Sequence, residues 1–205
     1  MSLLARLSER SWESPGGDHV DPEAYRPPAA KVVLILYFGV AAVLFGLVAS
    51  AYLMRMGAPG MGHGTMAGWR PLPEPPLLWV NTGILILASL AWEGARIGVR
   101  RGQRLVGWGL AAGVLGIMFV AGQLLLWSRF IAAGHGLSGD PAAAFFYLIT
   151  ALHGLHVAGG LWFWSQAMLA LRGDGDAALR FQLTATYWHF LLLVWLVMLG
   201  LFVAT

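Results

Sequence analysis

Five runs without a single charged side chain dominate the sequence: residues 32–54, 75–92, 105–128, 141–171 and 181–205, from 18 to 31 residues long. A helix rises about 1.5 Å per residue, so about 20 apolar residues cross the hydrocarbon core of a bilayer. Each run approaches or exceeds that length and is rich in Leu, Val, Ile, Ala, Phe and Trp. At that depth there is no water to bind backbone amides, so each segment must satisfy its own as a helix. The predicted fold is therefore all-α, an integral membrane bundle of five transmembrane helices at about 31–55, 76–97, 104–130, 141–172 and 178–204. The second run is the shortest, but Glu93 and Arg96 at its end can snorkel to the interface, and Pro73, Pro75 and Pro76 suit the first turn of a helix. A composition 58% hydrophobic and 11% charged agrees, being too apolar for a soluble domain of this size.

Basic residues set the expected orientation. Arg6, Arg10, Arg26 and Lys31 precede the first span; Arg96, Arg100, Arg101 and Arg104 follow the second; Arg172 and Arg180 lie between the fourth and fifth. Only Arg55, Arg70 and Arg129 fall on the other side. The positive-inside rule thus puts the N-terminus in the cytoplasm and the C-terminus in the periplasm. The net charge of +3 is then an orientation signal, and no nucleic-acid partner is expected. Residues 1–30 are polar and hold Pro15, Gly16, Gly17, Pro22, Pro27 and Pro28. They read as an irregular cytoplasmic segment rather than a cleaved signal peptide, and residues 31–205 as the membrane domain. Trp69, Trp79, Trp92, Trp108 and Trp127 are expected in interfacial belts, and Trp162, Trp164, Trp188 and Trp195 in packing. Gly39, Gly46, Gly107, Gly109, Gly113, Gly116, Gly154, Gly159 and Gly160 lie within the spans, where small residues mark helix contact faces.

Cysteine is absent, which excludes disulfides, thiolate zinc, iron–sulfur clusters, catalytic thiols and cysteine-bridged copper. Intramembrane polar residues are costly and so are functional candidates: Asn81, Glu93, Gln123, His153, His156, Gln166, Gln182 and His189. His153 and His156, three apart, share one side of helix four, and His189 on helix five is placed to face them. Three chemistries compete. A haem-b cytochrome needs histidines on facing helices as axial ligands, with His189 the available partner. A rhomboid-like protease needs a serine nucleophile, and Gly136-Leu137-Ser138-Gly139 fits G-x-S-G, although Asp140-Pro141 reads more simply as a capped helix start. The third reading, histidines that hydrogen-bond between helices or hold a lipid head group, leads on general grounds. Met54, Met56, Met61, His63 and Met66 crowd the loop after helix one; thioether and imidazole suit Cu(I), while a flexible apolar loop is the simpler account.

Three segments resemble subunit III of the haem-copper oxidases, the cytochrome c oxidase subunit 3 family. Thr150-Ala151-Leu152-His153-Gly154-Leu155-His156-Val157-Ala158-Gly159-Gly160 is similar to its T-G-x-H-G-x-H-V-x-x-G stretch, and Tyr187-Trp188-His189-Phe190 with Val194-Trp195 to its Y-W-H-F…V-W ending. Trp69, Pro71, Pro73 and Pro76, leading into Leu78-Trp79-Val80-Asn81-Thr82, match its proline-rich entry and L-W-x-N-T. Phe45 and Ala51-Tyr52-Leu53 fit its first span more loosely. The likeness covers residues 31–205 and implies a five-helix bacterial form without the two N-terminal helices of seven-helix versions.

The resemblance implies a non-catalytic accessory subunit in a bacterial inner membrane. It would pack against catalytic subunit I, with subunit II beside it, bind structural phospholipid and support proton uptake in aerobic electron transport. Haem and copper are then expected in the partner subunits and none in this chain. Glu93, His153, His156, Tyr187, Trp188 and His189 become candidate lipid or subunit contacts. A quinol oxidase subunit III and a nitric oxide reductase-associated homologue are the alternatives within the family. The chain departs from the pattern at Val40-Ala41, where the family has Ser-Glu, at Leu192, where an Asp is common, and at Ala151 in place of Gly.

Overall fold

The computed structural model describes residues 27–56, 75–100, 105–136, 141–171 and 177–204. Each uncharged run carries one helix: α1 (Ala29–Met56), α2 (Pro76–Arg100), α3 (Leu105–Ala132), α4 (Pro141–Ala170) and α5 (Ala177–Ala204). All five are long and apolar enough to cross a membrane. The chain divides into two units, Met1–Val33 and Leu34–Thr205. Of the first, residues 27–33 are described, where Lys31 N–H donates to the Pro28 carbonyl at 2.8 Å as the helix begins.

Helix ends follow local chemistry. Pro76 and Pro141 occupy first helical positions, where a missing N–H costs nothing. At the end of α3, Gly134 takes φ +89°, His135 N–H reaches the Phe130 carbonyl and Gly134 N–H that of Ile131, each at 3.0 Å. This is a Schellman stop, which needs the left-handed backbone that glycine adopts without strain. The Phe130 and His135 rings meet across it at 5.8 Å, and Tyr147 Oη donates to the His135 carbonyl at 3.0 Å, tying the stop to α4.

Within the second unit, α2 packs on α3 and α5, and α4 packs on α3 and α5, closing a ring of four helices. Lipid is as apolar as leucine, so this ring is held by close packing and interhelical hydrogen bonds rather than by exclusion from water. Trp92, Phe119, Phe181, Trp188 and Trp195 fill its centre, each 1% exposed or less. Glycines on α3 make room for them. A Cβ on Gly113 would overlap the Trp164 indole, and one on Gly116 the Trp188 ring. One on Gly109 would stand 2.7 Å from Met168 Sδ, and Gly159 and Gly160 lie against Tyr187. Gly39, Gly46, Gly107 and Gly154 differ from expectation: nothing lies within 4 Å of a Cβ built on them, because their helix sides turn away from the other helices.

Two tryptophans also depart from the expected placing. Trp92 is fully buried, because α2 continues two turns beyond it and its ring stacks with Trp188 at 6.3 Å. Trp162 is 65% exposed, on the outward side of α4. Trp79 and Trp108 are half-exposed near helix ends, where belts form.

Helix α1 is attached differently. Among the described residues, none of its Cα atoms comes within 8 Å of another helix's. Aromatic side chains bridge that distance: Phe38 stacks on Phe190 at 4.2 Å, Phe45 packs with Ile149, Val194 and Met198, and Tyr52 meets Phe145 and Phe202 edge-on.

Candidate functional site

Four polar groups of the spans contain the candidate residues. The first joins α2 to α5. Ser89, Glu93 and Arg96 recur at helical spacing and so share one face of α2. Arg96 Nη2 donates to Glu93 Oε1 at 2.7 Å, and His189 Nε2 meets Glu93 Oε2 at 3.1 Å. Ser89 Oγ lies 2.5 Å from His189 Nδ1. A carboxylate only accepts, so His189 donates from Nε2 to Glu93, and its Nδ1 shares a hydrogen bond with the Ser89 hydroxyl. Ser89 is buried, while Glu93, Arg96 and His189 are about one-third exposed. The guanidinium compensates the carboxylate, which makes this charge tolerable near hydrocarbon.

The second lies deep in the four-helix ring. Asn81 Nδ2 donates to Gln123 Oε1 at 3.2 Å and approaches the Phe119 carbonyl at 3.4 Å, linking α2 to α3. Asn81 fits because its carbonyl oxygen rests on the bare Cα of Gly122. One residue on, Thr82 Oγ1 donates to the Leu78 carbonyl and accepts from Trp195 Nε1, both at 2.9 Å, linking α2 to α5.

The third involves α1, α4 and α5. Tyr187 Oη donates to the His156 carbonyl at 2.8 Å and stands 3.2 Å from Tyr37 Oη. His156 Nδ1 donates to the Leu152 carbonyl one turn back at 2.7 Å. The fourth is His153, fully buried with neither ring nitrogen hydrogen-bonded. Its ring lies against Trp195 at 5.0 Å, Phe119 at 5.8 Å and Phe45 at 6.4 Å.

His153 and His156 thus belong to one side of α4, as their spacing predicts, but His189 does not face them. It points to α2, and Tyr187 occupies the position toward α4, because two residues along a helix turn the side chain through roughly 200°. Trp188 fills the centre of the ring as a packing residue. Ser89 and Tyr37 complete these contacts and were not singled out from sequence, while Arg96 was read there only as an interfacial and orientation residue and Thr82 only as part of a motif; for Ser89 the available signal was its place four residues before Glu93. Met54 is two-thirds exposed and Met56 half-buried; Met61, His63, Met66 and Ser138 lie outside the described residues.

The facing histidine pair of a haem-b cytochrome is not formed among the described residues. Bis-histidine ligation needs two histidines facing across the macrocycle, whereas rings of Trp195 and Phe119 cover His153, and His189 engages Ser89 and Glu93 with its two nitrogens. Among the described residues no three of His, Asp or Glu are grouped as a metal site would need.

The family profile described as Cytochrome c oxidase subunit III matches residues 31–204. The chain belongs to the cytochrome c oxidase subunit III family. It is 28% identical to the cytochrome bo(3) ubiquinol oxidase subunit 3 of Pseudomonas aeruginosa, over 78% of each chain. It is 30% identical to the cytochrome c oxidase subunit 3 of Synechocystis, over 81% of this chain and 71% of that one. To the subunit 3 of Thermostichus vulcanus it is 27% identical, over 92% and 94%. The motifs that carry the family likeness are the residues of the interhelix contacts: Asn81-Thr82, His153 to Gly160, and Tyr187 to Trp195. As a subunit III of the haem-copper oxidases, the chain is a component of an oxidoreductase complex that holds other subunits.

Proposed function

We propose that this chain is the non-catalytic accessory subunit of a cytochrome c oxidase in a bacterial inner membrane, with its N-terminus in the cytoplasm and its C-terminus in the periplasm. It stabilises catalytic subunit I, adjoins subunit II, and leaves haem and copper to those partners. The observation that carries this reading is the family match across residues 31–204, together with relatives named for cytochrome c oxidase in two organisms. The bo(3) relative favours a second reading within the same family, a ubiquinol oxidase, since the donor is set by other subunits.

The contacts support a scaffold role by their chemistry. His189, Glu93 and Tyr187 are engaged in joining helices, so they act by holding α2, α4 and α5 in register. The Arg96–Glu93–His189 group is about one-third exposed, and its guanidinium suits a phospholipid phosphate. Proton uptake by the complex is supported through that scaffold, without the carboxylate that family members carry where this chain has Ala41.

Purification in mild detergent, with a reduced-minus-oxidised spectrum and mass spectrometry of the co-purifying chains, tests the proposal. A haem-copper catalytic subunit retained with this chain is the expected result, and the neighbouring subunit identifies the donor. A lone chain without haem overturns the assignment, and a haem band belonging to the isolated chain overturns its non-catalytic part.

A further inference from the structure

His153 is the one fully buried imidazole of the spans, and its hydrogen-bonding capacity is unused. A neutral imidazole carries one N–H donor and one acceptor nitrogen, and here both are buried without a partner. The walls around it are Phe45, Phe119 and Trp195, and the Trp195 N–H that would have been the nearest donor is committed to Thr82 Oγ1. An aromatic face accepts an N–H only weakly and gives nothing to the acceptor nitrogen. A phenylalanine or leucine would fill this position without the desolvation cost that two unpaired polar atoms carry. An imidazole held there calls for a small guest that both donates and accepts.

Polar side chains lie on its α1 side. Helix α1 stands off from α4 with only side chains between them. In that space the Tyr37 ring, 37% exposed, meets the His156 ring at 6.0 Å, and Phe45 touches both His156, at 5.2 Å, and His153. The Tyr37 and Tyr187 hydroxyls and the His156 ring therefore gather on the α1 side of the buried histidine, with the Phe45 ring between them and it. We infer that His153 anchors an internal water site in the middle of the bundle, supplied along the α1–α4 contact. Water is the guest of matching chemistry: it donates to one ring nitrogen and accepts from the other, and buried waters occupy such sites when polar partners await them.

The inference does not rest on the electron donor or on the scaffold assignment, and it is tested on the chain in whatever membrane complex it purifies with, reconstituted in lipid bilayers. Histidine ring nitrogens are labelled with 15N, and the His153 signal is identified by its loss in His153→Phe. The expected result is a neutral ring whose N–H shows magnetisation transfer from water and exchanges in D2O within minutes. A ring N–H that shows no transfer from water and stays protected for days overturns the site. A density map resolving ordered waters reads the same point independently of the variant: a peak within hydrogen-bonding distance of a His153 nitrogen supports it, and an empty surround in a map showing waters elsewhere in the protein overturns it.

Discussion

Single residues in these spans act through hydrogen bonds that have no competing water, yet such bonds contribute only modestly, about 0.6 kcal/mol on average and up to about 1.7. The Trp195–Thr82 bond is buried on both sides and belongs at the upper end of that range. Trp195→Phe keeps most of the ring packing and is expected to lower the thermal stability of the membrane-embedded chain by about 1 kcal/mol. Thr82→Val should cost a similar amount and the double variant little more, which a double-variant cycle on melting temperature checks. At the α2–α5 contact, His189→Ala removes the ring that bridges Ser89 and Glu93, leaving buried Ser89 Oγ without its partner. It should weaken retention of the chain in the complex more than Glu93→Gln, whose single amide oxygen keeps one of the two contacts, with Arg96 or with His189; quantifying the chain after detergent washing decides. Ala41, 4% exposed, lies one turn from both Tyr37 and Phe45 on the side of α1 that meets α4. A carboxylate there faces the histidine pair rather than lipid, and Ala41→Glu is expected to leave the protons pumped per electron unchanged; a clear rise would show that its absence was limiting.

At the scale of elements, α3 is the helix that the others press into. Gly109, Gly113 and Gly116 lie along the side facing α4 and α5, and large rings from those helices occupy the place of the missing side chains. Gly113→Ala forces the Trp164 indole, which donates to the Gly109 carbonyl at 2.8 Å, out of its position. Overpacking of this kind costs about 1–3 kcal/mol. Gly107→Ala, with open space around its Cβ, is the matched control and should be neutral, and thermal unfolding of the two variants separates them. Which glycines meet a neighbour was not legible from the sequence, since glycines recur in every span and only the rotation of each helix distinguishes contact from open faces. Helix α1 shows the opposite design. Phe38, Phe45 and Tyr52 recur at spacings of seven, so a stripe of rings carries its attachment, with Tyr37, Ala41, Leu34, Val48 and Ala49 beside it, and its opposite side is exposed aliphatic side chain.

For the whole molecule, the five spans and their family were readable before any coordinates. Span length follows from bilayer thickness, and charge-free runs leave little choice of boundary. Orientation is the matching prediction at this scale, argued from ten basic residues on one side against three on the other. The chain has no cysteine, so Ser2→Cys and Thr205→Cys each supply one labelling site. In intact cells a membrane-impermeant thiol reagent should modify the cysteine at 205 and spare the one at 2, and the reverse pattern would invert the topology. What the sequence by itself determined was the class of structure, the helix count and the motifs that mark the family. These depend on local composition and spacing. Tertiary structure decided which polar groups meet: that His189 joins Glu93 and Ser89 rather than His153, that Tyr187 takes the place toward His156, that Trp92 is central and Trp162 outward. The reason is that lipid and protein interior are equally apolar. In a soluble helix the polar face announces its rotation, whereas here every face reads alike, and only packing of side chain against side chain sets how each helix turns.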